Sequence, residues 1–382
     1  MAAADQGAAE RTSIYLDYNA STPIDPEVVE EMMPYLTGYY GNPSSSHWAS
    51  ANIQQAIHLA RTRIAKLVGC DPDEIIFTSG GSESNNTAIK GTYYANRHRG
   101  NHIITTKIEH PAVLHPCAYL ETQGARVTYL DVDAYGRVNA DDVAAAITDD
   151  TILVSIMHAN NETGTIQPIR KIGDITRERG IIFHTDAAQS VGKIETLVSD
   201  LNVDLLTIAG HKLYAPKGIG ALYIRRGTLI DSYIHGAGHE SGRRAGTENV
   251  PYIAAIGKAA EIASRKEDQQ RIRTLTDRFW ARLSDMFQER IVLNGHPDEK
   301  LPNTLNVSFK GMIGQDILDQ VPEIAATTGS ACHTGSIELS PVLKAMKVDP
   351  AIGAGTVRFS IGRYTTADEI EQACDLLKNR IL

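Results

Sequence analysis

Short apolar runs alternate with amphipathic, helix-like stretches between about residues 50 and 225. Apolar runs rich in Ile, Val and Leu predict strands at 75–79, 102–107, 126–132, 151–158, 180–185, 203–209 and 220–225. The stretches between them predict helices, clearest at 53–69, 112–124, 140–148 and 169–180. Continuous apolar strands separated by helices are typical of an α/β fold, in which helices cover both faces of a mostly parallel sheet.

The pattern changes after about residue 250. Residues 252–287 form one long helical pattern, which predicts a single helix bridging two domains. Short strands and a final helix then predict a smaller α+β unit, with strands at 291–295, 303–309 and 356–362 and the helix at 368–382. We therefore predict a disordered tail at 1–12, a large domain at 13–255 whose first residues are free to pack on the small one, and a small domain at 256–382.

Composition narrows the class of protein. The 382 residues are 42% hydrophobic and 22% charged, and the net charge of −9 comes from interspersed acids and bases. Because no basic stripe is visible, we expect neither nucleic acid nor a membrane surface as a partner. No apolar run reaches the roughly 18 residues that a membrane-spanning helix needs, and residues 1–12 lack the features of a secretory signal.

The four cysteines point to a reducing compartment. Cys70, Cys117, Cys332 and Cys374 are widely spaced and form no CxxC pattern. We therefore expect a cytoplasmic protein without a disulfide framework, and no metal site, since zinc-ligand spacing is missing as well. His184 and Asp186 alternate on one predicted strand like a metal pair, but no third ligand is evident.

The strongest chemical signal lies in VDLLTIAGHKLYAPKGIGALYI (203–224), which places Lys212 in a turn between two apolar strands. Burial lowers the pKa of a lysine, and a neutral lysine forms Schiff bases with carbonyls. Asp186 ends a neighbouring predicted strand, and Gln189 follows it. A lysine for the aldehyde and a carboxylate for the ring nitrogen are what pyridoxal phosphate requires. Gln189 is placed to reach the ring hydroxyl.

Further polar residues follow other predicted strands. In TSGGSESNN (78–86), Gly81 and Ser82 open a helix, which predicts either a phosphate site or an ordinary capped helix. His211 is a second candidate for the phosphate. His110 is placed to stack on the ring and move protons, or to serve as a satisfied structural histidine, as we expect for His184 and His102.

Two residues of the predicted small domain complete the candidate chemistry. Cys332 lies among small residues in 324–343, which predicts a mobile, accessible loop and leaves two alternatives, a reactive thiolate and an inert thiol. Arg358 is a candidate to bind a substrate carboxylate with two hydrogen bonds, and Arg363 is the alternative. The other three cysteines are expected to be inert.

Ten ordered motifs resemble those of the cysteine desulfurase and selenocysteine lyase family, from residue 13 to 382. They are YLDYNASTPIDPEV, GNPSSSH, IIFTSGGSESNN, KIEHPAVL, MHANNETGTIQPI, HTDAAQSVGK, GHKLYAPKGIGALYIR, GHESGRRAGTENV, GSACH and VRFSIGRYTT. The resemblance implies a pyridoxal-phosphate enzyme with the aspartate-aminotransferase-like fold, fold type I, and a homodimer.

Carried over by position, the resemblance implies a role for each candidate. Lys212 matches the Schiff-base lysine, Asp186 the ring-nitrogen partner, Gln189 the contact to the ring hydroxyl and His110 the stacking histidine. Asn161 matches an asparagine near the ring hydroxyl and the substrate, Ser82 and His211 match phosphate ligands, and Thr247 matches a threonine that reaches the partner subunit's phosphate. Arg358 matches the substrate-carboxylate arginine, and Cys332 matches the persulfide-forming cysteine.

The resemblance predicts conversion of L-cysteine to L-alanine, with a persulfide on Cys332 passed to an acceptor such as an iron–sulfur scaffold protein. One departure is Ala209, where many desulfurases have a phosphate-binding serine. The selenocysteine lyase branch also lacks that serine and has a histidine after its cysteine, as His333 does here. Release of selenium from L-selenocysteine to a selenium acceptor is therefore the alternative; an aminotransferase and an inactive scaffold are lesser ones.

Overall fold

The computed structural model describes residues 13–333 and 336–382; the tail predicted at 1–12 lies outside them. The strands are β1 (Ile14–Tyr15), β2 (Ile75–Thr78), β3 (His102–Thr106), β4 (Arg126–Leu130), β5 (Thr151–Ser155), β6 (Ile182–Asp186), β7 (Leu205–Ala209), β8 (Gly220–Ile224), β9 (Ile291–Asn294), β10 (Thr304–Phe309), β11 (Ile324–Ala325), β12 (Thr327–Thr328), β13 (Ser330–His333), β14 (Ser336–Leu339) and β15 (Thr356–Ser360). The α-helices are α1 (Pro26–Thr37), α2 (Ala51–Val68), α3 (Gly81–Asn86), α4 (Thr92–Asn96), α5 (Pro111–Glu121), α6 (Ala140–Ala146), α7 (Ile169–Glu178), α8 (Val198–Leu201), α9 (Val250–Ala263), α10 (Glu267–Phe287), α11 (Gly314–Gln320), α12 (Pro341–Ala345), α13 (Pro350–Gly353) and α14 (Ala367–Ile381).

A seven-stranded sheet forms the centre of the larger part of the molecule, in the order β2–β8–β7–β6–β5–β3–β4. Strand β8 runs antiparallel to both neighbours, and the other pairings are parallel. The predicted mostly parallel sheet is therefore confirmed. Its inner strands are buried on both faces, which explains why they read as continuous apolar runs rather than as alternating ones.

Two apolar cores lie on the faces of this sheet. One contains Phe183, Leu206 and much of α2 and α9; the other contains Ile103, Leu153 and parts of α5. Helix α9 lies so close to α2 that a methyl group on Gly257 would be 2.5 Å from Ala60 Cα. The close approach of the two helices therefore requires glycine at position 257.

A third core belongs to the smaller, four-stranded antiparallel sheet β12–β15–β10–β9 and the helices α10 and α14. Phe279 and Phe359 meet edge to face there, with ring centroids 5.2 Å apart. Strand β1 joins this unit by pairing with β11, and Ile14 is buried in the same core. The domain division at residue 255 stays a prediction.

The prediction of one long helix at 252–287 is wrong. The chain forms α9 and α10 instead, and Lys266 between them adopts a left-handed backbone with φ of 57°. Neither glycine nor proline marks the break in the sequence. Tertiary packing explains it, because α9 is buried in the core of the large sheet while α10 packs in the third core.

The segment predicted as a loop around Cys332 is a β-hairpin for part of its length. Strand β13 pairs antiparallel with β14, and Cys332 lies opposite Ile337. Residues 334 and 335, which belong to the same predicted loop, lie outside the described residues. The small residues of β13 have little strand propensity, so the local sequence of that strand contains no signal for this pairing. Elsewhere, no helix among the described residues has the length and apolarity needed to cross a membrane.

Candidate active site

A cavity of about 660 Å³ opens where the strands of the large sheet end. Ligands in open α/β sheets bind beyond the carboxyl ends of the strands, because the loops that follow the strands converge there. Most of the candidate residues named from the sequence line this cavity: Gly81, Ser82, His110, Asn161, Asp186, Gln189, His211, Lys212 and Arg358.

Lys212 lies on a single 3₁₀ turn, Gly210–Lys212, directly after β7. Its Nζ donates hydrogen bonds to the backbone oxygens of Asn19 and Ala20, the latter at 2.6 Å. Burial lowers the pKa of Lys212 to about 8; the Arg358 guanidinium adds to this effect, while Asp17 and Asp186 oppose it. With this pKa, about a tenth of the amine is neutral and nucleophilic at pH 7.

Asp186 ends β6 with its carboxylate buried and held by two donors. Asn85 Nδ2 donates to Oδ2 at 2.7 Å, and the backbone N–H of Ala188 donates to Oδ1 at 2.9 Å. These bonds fix the carboxylate's direction. The sequence analysis did not identify Asn85. Its position one turn into the helix that begins at Gly81 and Ser82 was a signal that could have found it.

We expect Asn85→Ala to lower the free energy of unfolding by about 1.5–3 kcal/mol, the range for a lost hydrogen bond to a charged group. Urea unfolding monitored by circular dichroism measures this change. The matched control is Asn86→Ala, because Asn86 donates only to the Ser82 carbonyl at 2.9 Å and lies nearer the surface. Equal losses in both variants would contradict the special role of Asn85.

The Gly80–Gly81 turn forms another wall of the cavity. Gly80 has φ of 150°, and strand β8 presses on it so closely that a side chain at Gly220 would lie 2.7 Å from Gly80 Cα. A methyl group at Gly81 would lie 3.2 Å from Ala209 Cβ. The turn therefore leaves backbone N–H groups approachable at the start of a helical segment that continues from α3 through a π-helical stretch, Thr87–Gly91, into α4.

Two neutral histidines face the cavity. His110 caps α5, and its Nδ1 accepts the backbone N–H of Ala112 at 3.1 Å. Burial lowers the pKa of His110. The charge of Asp186 raises this pKa, and the charge of Lys212 lowers it further. Burial also lowers the pKa of His211 to about 4, helped by the neighbouring Lys212. Because His110 accepts at Nδ1, its remaining proton is on Nε2.

Arg358, on β15, brings the smaller sheet to the cavity. Its Nη2 donates to Asp17 at 2.8 Å, and its Nη1 donates to the Asn161 carbonyl at 3.0 Å. Its buried Nε has no hydrogen-bond partner among the described residues. The alternative, Arg363, is engaged elsewhere, since it pairs with Asp25 and with Asp268, the latter at 2.7 Å, and does not line the cavity.

Gln189 is held by a network that sequence reasoning did not find. Lys193 Nζ donates to Gln189 Oε1 at 2.9 Å and to Asn19 Oδ1 at 3.1 Å. Gln189 Nε2 in turn donates to the Asn19 carbonyl at 2.9 Å, the oxygen that Lys212 also contacts. Asn19 thus links the three residues, although it lies far from all of them in the sequence.

Other candidates lie apart from the cavity. Thr247 is exposed and does not line it. His184 bonds Ser155 at 2.8 Å and Thr207 at 3.1 Å inside the sheet, so it is a satisfied structural histidine. His102 is likewise satisfied. Within the described part of the chain, no group of three or more His, Cys, Asp or Glu side chains is arranged to hold a metal ion. The position of the Cys332 side chain lies outside what the structure describes.

Comparison with known proteins identifies the family. The family model for class-V aminotransferases matches residues 14–373. The chain belongs to the class-V aminotransferase family. It is 48% identical over 372 residues to cysteine desulfurase IscS of Methanosarcina thermophila, covering 96% of this chain and 92% of that one. Family membership confirms the predicted coenzyme, pyridoxal phosphate.

Solved structures agree with this family assignment. A NifS-like protein superposes with a TM-score of 0.91 at 35% identity, covering 97% of this chain and 99% of its own. SspA in complex with cysteine gives 0.80 at 38% identity, covering 93% and 100%. The predicted aspartate-aminotransferase-like fold is therefore confirmed.

The cavity residues of this class-V family member fit the coenzyme chemically. The cavity has the volume of a typical cofactor pocket. Lys212 offers a reactive amine and Asp186 a buried carboxylate for a ring N–H, while the Gly80–Gly81 turn offers backbone donors for a phosphate. His211 and the nearby Lys217 add polar groups to the same lining.

Proposed function

We propose that this chain is a pyridoxal-phosphate-dependent cysteine desulfurase, which converts L-cysteine to L-alanine and leaves a persulfide on Cys332. The observation that carries the proposal is the Lys212 amine, whose pKa is lowered to about 8 in a cavity that also presents Asp186 and Arg358. The desulfurase relatives and the cysteine complex of a structural neighbour support L-cysteine as the substrate.

When bound, pyridoxal phosphate supplies an aldehyde for amines and a ring that accepts electron density. Lys212 removes the substrate α-proton, and Arg358 orients the substrate carboxylate through its fork of N–H groups. Asp186 would hold the ring nitrogen of the bound coenzyme protonated, and His110 moves a proton at the substrate sulfur. The Cys332 thiolate attacks that sulfur, so that the carbon–sulfur bond breaks and a sulfur–sulfur bond forms; the substrate carbon gains the proton.

Incubation of the purified protein with L-cysteine and a thiol reductant tests this function. Equal amounts of L-alanine and sulfide are expected. An aminotransferase would need a keto-acid acceptor and would release a keto acid instead, and an inactive scaffold would form neither product. The selenocysteine lyase alternative is favoured by Ala209, which lines the cavity at the position where many desulfurases have a serine. A selenocysteine lyase would form alanine from L-selenocysteine but little from L-cysteine.

We infer that the active form is a homodimer in the cytoplasm. Thr247 is exposed, and the large apolar side chains of Tyr40 and Trp48 are each 86% exposed, as expected of a surface that a second copy covers. The three cysteine side chains that the structure describes are free thiols, which suits a reducing compartment. Light scattering should give twice the chain mass, and Trp48→Glu should shift the protein toward the monomer.

We also infer that the persulfide passes to an acceptor, and an iron–sulfur scaffold protein fits the IscS name of the relatives. Radiolabelled sulfur from L-cysteine should move from Cys332 to such a scaffold when the two proteins are mixed.

We expect coenzyme uptake by the coenzyme-free protein to accelerate as pH rises through about 8, because the neutral fraction of Lys212 increases. Since Arg358 lowers the pKa of Lys212 and Asp17 raises it, Arg358→Gln should move the midpoint upward and Asp17→Asn downward. Stopped-flow absorbance across pH 6 to 10, roughly spanning two units about that pKa, measures the midpoint. A pH midpoint that neither substitution changes would contradict this electrostatic account.

A further inference from the structure

Hydrogen bonds hold together Gly329 and Ser340, the two residues that flank the hairpin carrying Cys332; we call this pair the hairpin root. The backbone N–H of Ser340 donates to the Gly329 carbonyl at 2.9 Å. Gly329 in turn donates to the Thr356 carbonyl at 3.1 Å, on the strand that also carries Arg358. A methyl group at Gly329 would lie 2.6 Å from Thr356 Cγ2, so only glycine allows this approach.

Ser340 also reaches across to the loop that carries Asn161. Its Oγ donates to Glu162 Oε2 at 2.6 Å and accepts the backbone N–H of Leu343 at 3.2 Å, which caps α12. Glu162 is fixed in place, because its N–H donates to Asn160 Oδ1 at 2.9 Å and its carbonyl accepts from Asn306 at 3.1 Å. One carboxylate therefore joins the hairpin root to a loop that lines the cavity.

Apolar packing reinforces the same junction. Leu339, the last residue of β14, is buried in a cluster with Ile108 and Met157. Met157 lines the cavity, and Ile108 lies two residues before His110. The root is thus held against the loops after β3 and β5, whereas the hairpin strands extend beyond it.

We propose that the Glu162–Ser340 contact is a positioning device that sets where the hairpin presents Cys332 to the substrate sulfur. This inference rests on the proposed desulfurase function. Glu162 acts through Ser340 and not on the substrate, so its loss should slow the sulfur step alone. Burial raises the pKa of Glu162, while Ser340 and Arg358 lower it. Glu162 therefore also lies within electrostatic reach of Arg358. The test must separate loss of the Ser340 contact from loss of a negative charge near Arg358.

The test compares Ser340→Ala, Glu162→Ala and Glu162→Gln in the coenzyme-loaded enzyme. Glutamine keeps an acceptor for Ser340 but removes the charge near Arg358. We expect both alanine variants to form the Cys332 persulfide about tenfold more slowly, as loss of one hydrogen bond predicts, and Glu162→Gln to recover most of the rate. The KM for L-cysteine and the coenzyme's visible absorption should not change. The Ser340→Ala, Glu162→Ala double variant should be no slower than either single one.

A matched control is Asp349→Ala, which removes the helix cap of α13 and its 2.8 Å bond to the Ala351 N–H. A second readout needs no turnover: iodoacetamide should alkylate Cys332 at a changed rate in both alanine variants but not in the control. If Glu162→Gln is as slow as Glu162→Ala, or if Ser340→Ala behaves like Asp349→Ala, the inference is overturned while the desulfurase function stands. If Cys332→Ala forms alanine and sulfide at the normal rate, both fail.

Discussion

Lys212→Ala should abolish turnover and the visible absorption of the bound coenzyme at about 420 nm, where a pyridoxal coenzyme joined to lysine absorbs. Two functions are lost together, because the same amine tethers the aldehyde and moves the α-proton. General-base catalysis alone contributes about 10²- to 10⁴-fold, so we expect alanine formation to fall by about 10³-fold or more. Absorption spectra and an alanine assay on the purified variant measure both effects.

The control is Lys266→Ala, which removes an exposed lysine that pairs with Glu195 at 3.1 Å. That variant should keep both the absorption and the rate. Retention of the absorption band in Lys212→Ala would show that another amine binds the coenzyme. Lys217 is the alternative amine, because it lines the same cavity as Lys212.

The large sheet is predictable from sequence because its strands are buried on both faces. Each of its strands lies within a few residues of its predicted position, from β2 to β8. Polar residues that follow such strands must converge at one edge, so the strand pattern is sufficient to predict that Asp186, Lys212 and His110 lie together. Local sequence patterns are sufficient to predict a strand wherever burial of its own apolar residues is the reason that the strand forms.

Features created by tertiary packing are not predictable in this way. The break between α9 and α10 follows from two helices packing in different cores, and no residue type marks it. Asn19 lies far in sequence from Gln189, Lys193 and Lys212, so nothing near it indicates that it joins them. The Asn85 contact to Asp186 spans the same kind of distance. Such residues act through partners that only the fold brings close.

Cys332→Ala should bind the coenzyme with unchanged absorption and yet release no sulfide from L-cysteine. The thiol is needed only after the substrate is bound, when the carbon–sulfur bond breaks, so steps that depend on Lys212 and Arg358 should proceed. Sulfide and alanine assays under a thiol reductant, together with mass spectrometry of the persulfide, measure the loss. Cys70→Ala is the control, because burial raises the pKa of the Cys70 thiol to about 12 and so keeps it inert.

The same variant separates the two substrates. A selenol is more acidic than a thiol and its bond to carbon is weaker, so selenium can leave with less help from a nucleophilic cysteine. If the protein is a desulfurase, wild type should process L-cysteine well and Cys332→Ala should not. A selenocysteine lyase would process L-selenocysteine far better than L-cysteine and would keep most of that activity without Cys332. Full desulfurase activity in Cys332→Ala would remove the thiol from the mechanism and leave only the coenzyme chemistry around Lys212.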